Sequence, residues 1–430
     1  MHFLSLPDHT LATATEAGEG YGHGVKVLIA HNRYRSAVPS GENQVVEAEL
    51  GALRSAGVEV VPYLRSSDEI AHMDVKDRVL VPLMPLHSQR ALNDIDHMIS
   101  VHQPDIVHLH NPYPLISLSI VKTAHSYGVP VVQTVHNHRH SCARGSYFRA
   151  GHPCFECRGK ALPWPAVQHG CYRDSRLQSV AMAAALYGHR HDQRAVDKYI
   201  AVSQHIADSL MESGLVRLDQ VVIRPNSVPD PGDAGPAGAG LLFVGRFSEE
   251  KGVPLLLDAW ERSGKAFGTL TFIGDGPERA RIEARAAVKG SGVACDGPMD
   301  QSGVRAAMKA SSAVVVPSTA SEAISLVVLE AFSHGRPVIA CDVGGLSSTV
   351  DSSVGWLSRP DVVGLADTLR RAAAAAANPI GRTARLVYEA KYSPEVVLSQ
   401  QLKIYATVIA ESRKPPRNWL APGLRSRQTP

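Results

Sequence analysis

The sequence predicts an α/β protein made of two doubly wound domains, each a parallel sheet layered with helices, facing each other across a cleft. Three observations carry this. From about residue 24 onward, short apolar runs alternate with amphipathic segments of helical period, the grammar of strand–helix–strand units. Residues 229–240, PDPGDAGPAGAG, interrupt that grammar with almost no bulky side chains, and it restarts at 241. A chain of 430 residues suits two domains of ordinary size.

The totals exclude several classes. Hydrophobic content of 44% and charged content of 20% fit a globular chain, and a net charge of +3 is too small to argue for nucleic acid. No run approaches 18 apolar residues, so no membrane span is expected. The first twenty residues lack the basic start and apolar core of a leader, so a cytoplasmic location is expected, with peripheral contact at the inner face of the membrane as a further option. Six cysteines in a reducing compartment do not make a disulfide scaffold.

In order, 1–23 reads as a flexible extension and 24–228 as the N-terminal domain. Its first strand is 24–30 (GVKVLIA), followed by a loop holding Gly41, a helix over 43–56 and a strand over 58–63. Gly41, just ahead of a helix, would let backbone approach a ligand closely, although a loop glycine is also an ordinary turn residue. A strand over 105–110, a helix over 115–127 and a strand over 129–135 follow. His110 and His136 fall at strand C-terminal ends, where open parallel sheets bind ligands. Asp94 and Asp96 imitate a D-x-D metal motif, but they sit in a helical pattern with their side chains pointing apart, and no catalytic metal is expected.

Residues 137–194 form a basic insertion holding Cys142, Cys154, Cys157 and Cys171. One C-x-x-C knuckle plus two outlying cysteines could hold a structural zinc; the alternative is free thiols or a labile disulfide. The basic side chains suit an anionic acceptor or a membrane surface, while the ordinary reading of such a segment is a solvated charged face. A nucleic-acid module would need a periodic basic helix or interleaved aromatics, which the insertion lacks.

The second domain, 241–392, opens with a strand over 241–244 and the loop Gly245-Arg246-Phe247-Ser248-Glu249-Glu250-Lys251-Gly252 before a helix over 254–260. Arg246 and Lys251 in one strand-to-helix loop suit a diphosphate. A strand over 270–273 runs into Gly274-Asp275-Gly276-Pro277, whose glycines lack dinucleotide-fingerprint spacing. The central stretch is 313–345: strand 313–316, a loop with Glu322, a helix over 325–334 carrying Glu330, and a strand over 337–340. A helix N-terminus beside two carboxylates pairs an anion site with groups that hold hydroxyls, which suggests a sugar nucleotide. A polyalanine helix over 370–377, a last helix over 393–411 turning back toward the N-terminal domain, and a disordered tail over 412–430 complete the chain.

These residues resemble family 4 glycosyltransferases, retaining enzymes of the twin-Rossmann GT-B fold. The matching pieces are V-G-R-F-S-E-E-K-G at 244–252, I-G-D-G-P at 273–277, P-S-x-x-x-E at 317–322, the Glu322/Glu330 pair, G-R-P-V-I-A at 335–340 and G-G at 344–345. In the first half, S-G-E-N-x-V-V-x-x-E at 40–49, P-D-I-V-H-L-H-N at 104–111, V-V-Q-T-V-H-N at 131–137 and P-C-F-E-C at 153–157 resemble a bacterial branch of that family. The resemblance implies that Arg246 and Lys251 bind the donor diphosphate, Glu330 the nucleotide ribose, and Glu322 the sugar hydroxyls. It further implies that the N–H groups of Ser325 and Leu326 touch the phosphates and Gly41 approaches them from the other domain. His136 would contact the sugar near the reacting carbon, and Gly274 would lie near the base. Where the family has glycine after its first glutamate, this chain has Ala323 and Ser325, each with a Cβ that narrows the approach of the phosphates.

The expected function is transfer of a sugar, with retention, from a nucleotide-diphosphate sugar to an acceptor hydroxyl of a glycan, glycolipid, cell-envelope polysaccharide or small molecule. Arg246, Lys251 and helix amides would stand in for a metal in a front-face displacement, so no cofactor is required. The alternatives are a sugar-nucleotide 2-epimerase and a nucleotide-sugar-binding protein without turnover.

Overall fold

The computed structural model describes residues 24–37, 40–233, 235–375 and 377–414. The expected extension at 1–23 and the expected tail from 415 onward lie outside them.

Fourteen strands are described. β1 (Lys26–Arg33), β2 (Glu59–Ser66), β3 (Ile106–Leu109), β4 (Val131–Val135), a two-stranded hairpin of β5 (Phe148–Arg149) and β6 (His152–Pro153), β7 (Lys198–Ala201) and β8 (Val221–Ile223) belong to the first half. β9 (Leu241–Val244), β10 (Leu270–Ile273), β11 (Val293–Gly297), β12 (Ala313–Val316), β13 (Val338–Cys341) and β14 (Gly355–Ser358) belong to the second. They form two six-stranded sheets in the orders β2-β1-β3-β4-β7-β8 and β11-β10-β9-β12-β13-β14, each parallel throughout. Each order reverses once, at β1/β3 in the first sheet and β9/β12 in the second. Chain connections diverge at such a point, opening a crevice beyond the strands' C-terminal ends.

Local chemistry accounts for the helices nearest those crevices. Ser40 caps Gly41–Ser55 by accepting from the Asn43 amide, and Ser203 caps Gln204–Glu212 by accepting from that of Ile206. Val46, Leu50 and Leu53 bury one face of the first helix against β1. The last helix, Pro394–Ser412, buries Ile404, Tyr405, Val408 and Ile409 in that same N-terminal core, so the chain's end crosses back to its first sheet. Among the described residues no helix is long and apolar enough to cross a membrane.

Several elements differ from expectation. The helix over 115–127 shrinks to Ile120–Ser126. Asn32 and Asn111 hold the residues before it in an irregular turn: Asn32 Oδ1 accepts from the Leu115 amide, and Asn111 Oδ1 from that of Tyr113. The polyalanine segment ends a longer helix, Val362–Ala374, started by an Asp361 cap, and a further helix over Ala377–Lys391 was not expected. The cysteine segment is less irregular than its composition. It includes the helix Arg176–Gly188, whose Met182 and Leu186 enter the same core as β3 and β4. The Pro/Gly-rich stretch is strapped to the second domain: the Gly238 and Ala239 amides donate to Ser311 and Ala310, and Arg336 donates to the Pro236 carbonyl.

Gly252 shows how tightly the second switch point is packed. Its φ is +74°, and a Cβ there would overlap the carbonyl oxygen of Pro317. Gly252→Ala is therefore expected to destabilise the protein by about 2 kcal/mol or more, read from urea unfolding.

Candidate active site at the facing switch points

The loop after β9 carries Arg246 and Lys251. Backbone contacts leave it little freedom: a Cβ on Gly274 would overlap the Gly245 carbonyl, and one on Gly276 would lie 2.5 Å from that of Phe247. The loop after β10 is thus a backing for the Arg/Lys loop. Arg246 is exposed and donates from Nη2 to Glu250 Oε1 at 2.7 Å. Lys251 Nζ lies 2.8 Å from Glu322 Oε1, and the Ser318 hydroxyl also donates to that carboxylate. Burial is the largest single influence and would raise the Glu322 carboxyl; Lys251 and the Ser318 and Ser325 hydroxyls together hold it below the usual range. Glu330 has no such partner among the described residues, and burial pushes it up to about 7 against a weaker opposing pull from Arg305.

Ser325 stands at the N-cap of Leu326–Ser333 without capping it. Its hydroxyl serves Glu322 instead, so the first-turn amides keep no side-chain acceptor and face the cleft. Gly41 comes from the other domain to meet them: a Cβ on it would sit 3.0 Å from Leu326 Cδ1.

The loop between Ser321 and Ser325 is gripped from two sides. Beneath it, Gly345 N donates to the Glu322 carbonyl at 2.6 Å, and Cβ atoms on Gly344 and Gly345 would run into the backbone of Glu322 and Ala323. From across the cleft, the Ser203 hydroxyl donates to the Ala323 carbonyl at 2.5 Å, and His205 Nε2 lies 2.7 Å from Ser321 Oγ. Ala323 and Ile324 pack against the N-terminal core. The Ala323 methyl group is thus also a contact between domains.

On the N-terminal side, His136 ends β4 and lines a small cavity with Glu42, His110, Asn137 and Arg139. His110 Nδ1 lies 3.0 Å from His136 Nε2, with the rings stacked 17° apart. Burial holds both imidazoles well below the usual histidine range, His110 at about 4, so both are neutral near pH 7. Behind them, Glu49 Oε1 lies 3.0 Å from His108 Nδ1 and 3.6 Å from His110 Nε2, while Arg224 donates to Glu49 Oε2 at 2.7 Å. Burial works against the Glu49 charge, but Arg224 and the two histidines hold it well below the ordinary range. A carboxylate facing His110 Nε2 favours the proton on that nitrogen. With the proton on His110 Nε2, 3.6 Å from the Glu49 carboxylate, His110 Nδ1 accepts from His136 Nε2–H and His136 Nδ1 is a bare acceptor. That atom is buried and has no partner among the described residues.

Two family models match consecutive parts of the chain: Glycosyltransferase Family 4 over residues 39–230, and Glycosyl transferases group 1 over residues 238–375. The chain belongs to the family 4 glycosyltransferases. A phosphatidyl-myo-inositol mannosyltransferase of Mycobacterium leprae is 30% identical over 192 residues, 41% of this chain and 49% of that protein. The chain thus matches about half the length of that relative. A glycogen synthase of Mycobacterium tuberculosis is 27% identical over 73% of this chain and 71% of that protein. Among solved structures, sucrose-phosphate synthase from Thermosynechococcus elongatus superposes with a TM-score of 0.63 at 19% identity, covering 90% of this chain and 100% of that one. HepE from Anabaena, in complex with UDP, gives 0.57 at 17%, covering 89% and 99%. The family's twin-Rossmann GT-B fold is the one seen here.

The structure brings Lys251, Glu322, Ser325, Leu326 and Gly41 around one cleft, and it places Gly274 in the backing loop. The four cysteines lie near one another. Burial raises the Cys157 thiol to about 11, and Cys142, Cys171 and Cys154 add to it. Yet among the described residues no three of these cysteines converge within 4.8 Å, against roughly 3.8 Å between sulfurs on tetrahedral zinc. One ligand-rich trio does converge, Glu49, His108 and His110, but Arg224 already supplies positive charge there. Asp94 and Asp96 accept from Tyr63 and Tyr127 respectively, two ordinary hydroxyl contacts. Glu42, Glu49 and Arg224 carried no role in the sequence reading. Glu42 and Glu49 stand in the quoted 40–49 segment, but only the fold sets Glu42 in the His136 cavity and Glu49 beside His108 and His110.

Two outcomes follow for Glu49→Gln. Imidazole 15N spectra should show the His136 proton on Nε2 in the wild type, and that preference weakened in the variant. Urea unfolding should show a loss of about 3 kcal/mol or more, because Arg224 is left buried and unpaired.

Proposed function

We propose that the protein is a retaining glycosyltransferase that moves a sugar from a nucleotide-diphosphate donor to an acceptor hydroxyl. One observation carries the reading: Lys251 and the uncapped N-terminus of Leu326–Ser333 converge on the cleft opposite Gly41 and His136. Positive charge and free amides on one wall suit a diphosphate, and a bare imidazole acceptor on the other suits a sugar hydroxyl. The relatives' activities, mannosyl transfer and glycogen synthesis, support the reaction class. HepE in complex with UDP-glucose supports the donor class.

In this reading Arg246 and Lys251 release Glu250 and share Glu322 to take up the diphosphate. They stabilise charge as it builds on the leaving group, so that no metal is required. Glu322 holds Lys251 in place and offers its remaining acceptor capacity to the sugar. Glu330 accepts from the ribose hydroxyls. The leaving phosphate takes the acceptor proton on the face from which the sugar departs, which gives retention. An epimerase would need carboxylates free to remove and return a ring proton, and Glu322 is committed to Lys251. Polysaccharide or glycolipid synthesis at the inner face of the membrane is the setting this reaction fits.

With EDTA present, the purified protein should transfer or hydrolyse sugar from a UDP- or GDP-sugar panel, and Lys251→Met should lower kcat about a hundredfold or more. Turnover that disappears with EDTA and returns with magnesium would overturn the metal-free mechanism. The ribose contact has its own signature. Hydroxyls donate best to an ionised carboxylate, so nucleotide affinity should rise as pH rises through about 7, where Glu330 loses its proton. Isothermal titration of Glu330→Gln should show that rise abolished, leaving only the titration of the diphosphate itself.

A further inference from the structure

Beside the His136 cavity lies a second one of about 280 Å³, walled by Arg139, Arg144, Arg173, Tyr34, Tyr172 and Asp174 among others. Arg139 lines both cavities. Its guanidinium has no carboxylate within 4.0 Å among the described residues. Nη1 donates to the Tyr34 hydroxyl at 3.4 Å, and the buried Nε has no partner there. The carboxyl nearest in influence, Glu42, accepts from Tyr34 and Asn137, and burial weakens its charge by pushing its pKa up. Asp174 is taken by Arg144 at 3.3 Å. Arg173 lies over the Tyr172 ring at 5.5 Å and has no ion pair among the described residues.

A half-buried guanidinium facing a cavity without a counter-ion is costly unless a ligand supplies the charge. The backbone adds an independent sign. Arg173 and Asp174 are consecutive residues with φ of +54° and +53°. Such strain in non-glycine residues gathers where a ligand site requires it. Both residues line the cavity.

We propose that this cavity binds a phosphate monoester carried by the acceptor, with Arg139 and Arg173 as its uncompensated cations. Two guanidinium forks match a group of charge about −1.5 to −2 at neutral pH. Because Arg139 also borders the His136 cavity, an anchored phosphate holds the acceptor's hydroxyl end toward the reaction cleft. The cavity's size suits a small phosphorylated head rather than a whole glycan. The inference rests on the reading of the cleft as a sugar-transfer site.

The test uses the full chain saturated with UDP or GDP, whichever binds, so that the donor's diphosphate site is filled. Methyl phosphate is then titrated calorimetrically, and phosphatidic acid in phosphatidylcholine vesicles is offered in a sedimentation arm. The two arms separate a soluble from a lipid-borne phosphate. Binding in either arm, weakened about tenfold or more by Arg139→Met and by the exposed Arg173→Gln, with nucleotide affinity unchanged in Arg173→Gln, is the expected result. No binding in both arms, equal binding by wild type and Arg173→Gln, or acetate bound as tightly as methyl phosphate would overturn the proposal. Failure of every nucleoside diphosphate to bind would instead defeat the glycosyltransferase reading.

Discussion

The loop between Ser321 and Ser325 has to satisfy two domains at once, and much of the cleft follows from that. Gly344 and Gly345 let it lie flat on its own domain, because any Cβ there would meet its backbone. Ser203 and His205 hold it from the other domain, and Ile324 packs against both cores. With its ends fixed, Glu322 can reach back to Lys251, and the helix behind it opens toward the cleft with uncapped amides. A loop free to move would leave Lys251 a solvated surface charge of little directional value.

Charge is arranged differently on the two sides. On the donor side each cation has a carboxylate that a ligand can displace or share: Glu250 for Arg246, Glu322 for Lys251. On the N-terminal side Glu49 and Arg224 are buried together, where separating them would be expensive. The first arrangement can exchange partners. The second is permanent, and its effect reaches the cleft through a stack of neutral imidazoles from Glu49 to His136.

The strands at the switch points were legible, because apolar runs such as 241–244, 270–273 and 313–316 bounded by glycine, proline or serine leave little choice of structure. The turn at 112–119 was not, since it depends on hydrogen bonds from Asn32, some eighty positions earlier. Composition likewise marked 229–240 only as a boundary between domains, because glycine and proline say nothing of the Arg336 guanidinium that donates to the Pro236 carbonyl. In the site, Arg246, Lys251, Glu322 and Glu330 stood out because they flank strand-to-helix loops. Glu49 sits on the apolar face of a helix and looks like an ordinary charged residue until β3 and β4 bring His110 and His136 beside it.

What the sequence by itself determined is what local chemistry controls: strand and helix order, the two-domain plan, and which loops carry cations and carboxylates. The tertiary structure alone decided which of those loops face each other, that Ala323 packs against the N-terminal core, and that Arg139 and Arg173 line one cavity with no ion pair of their own among the described residues. Each of these depends on contacts between residues far apart in the chain, where packing and desolvation rather than local propensity set the outcome.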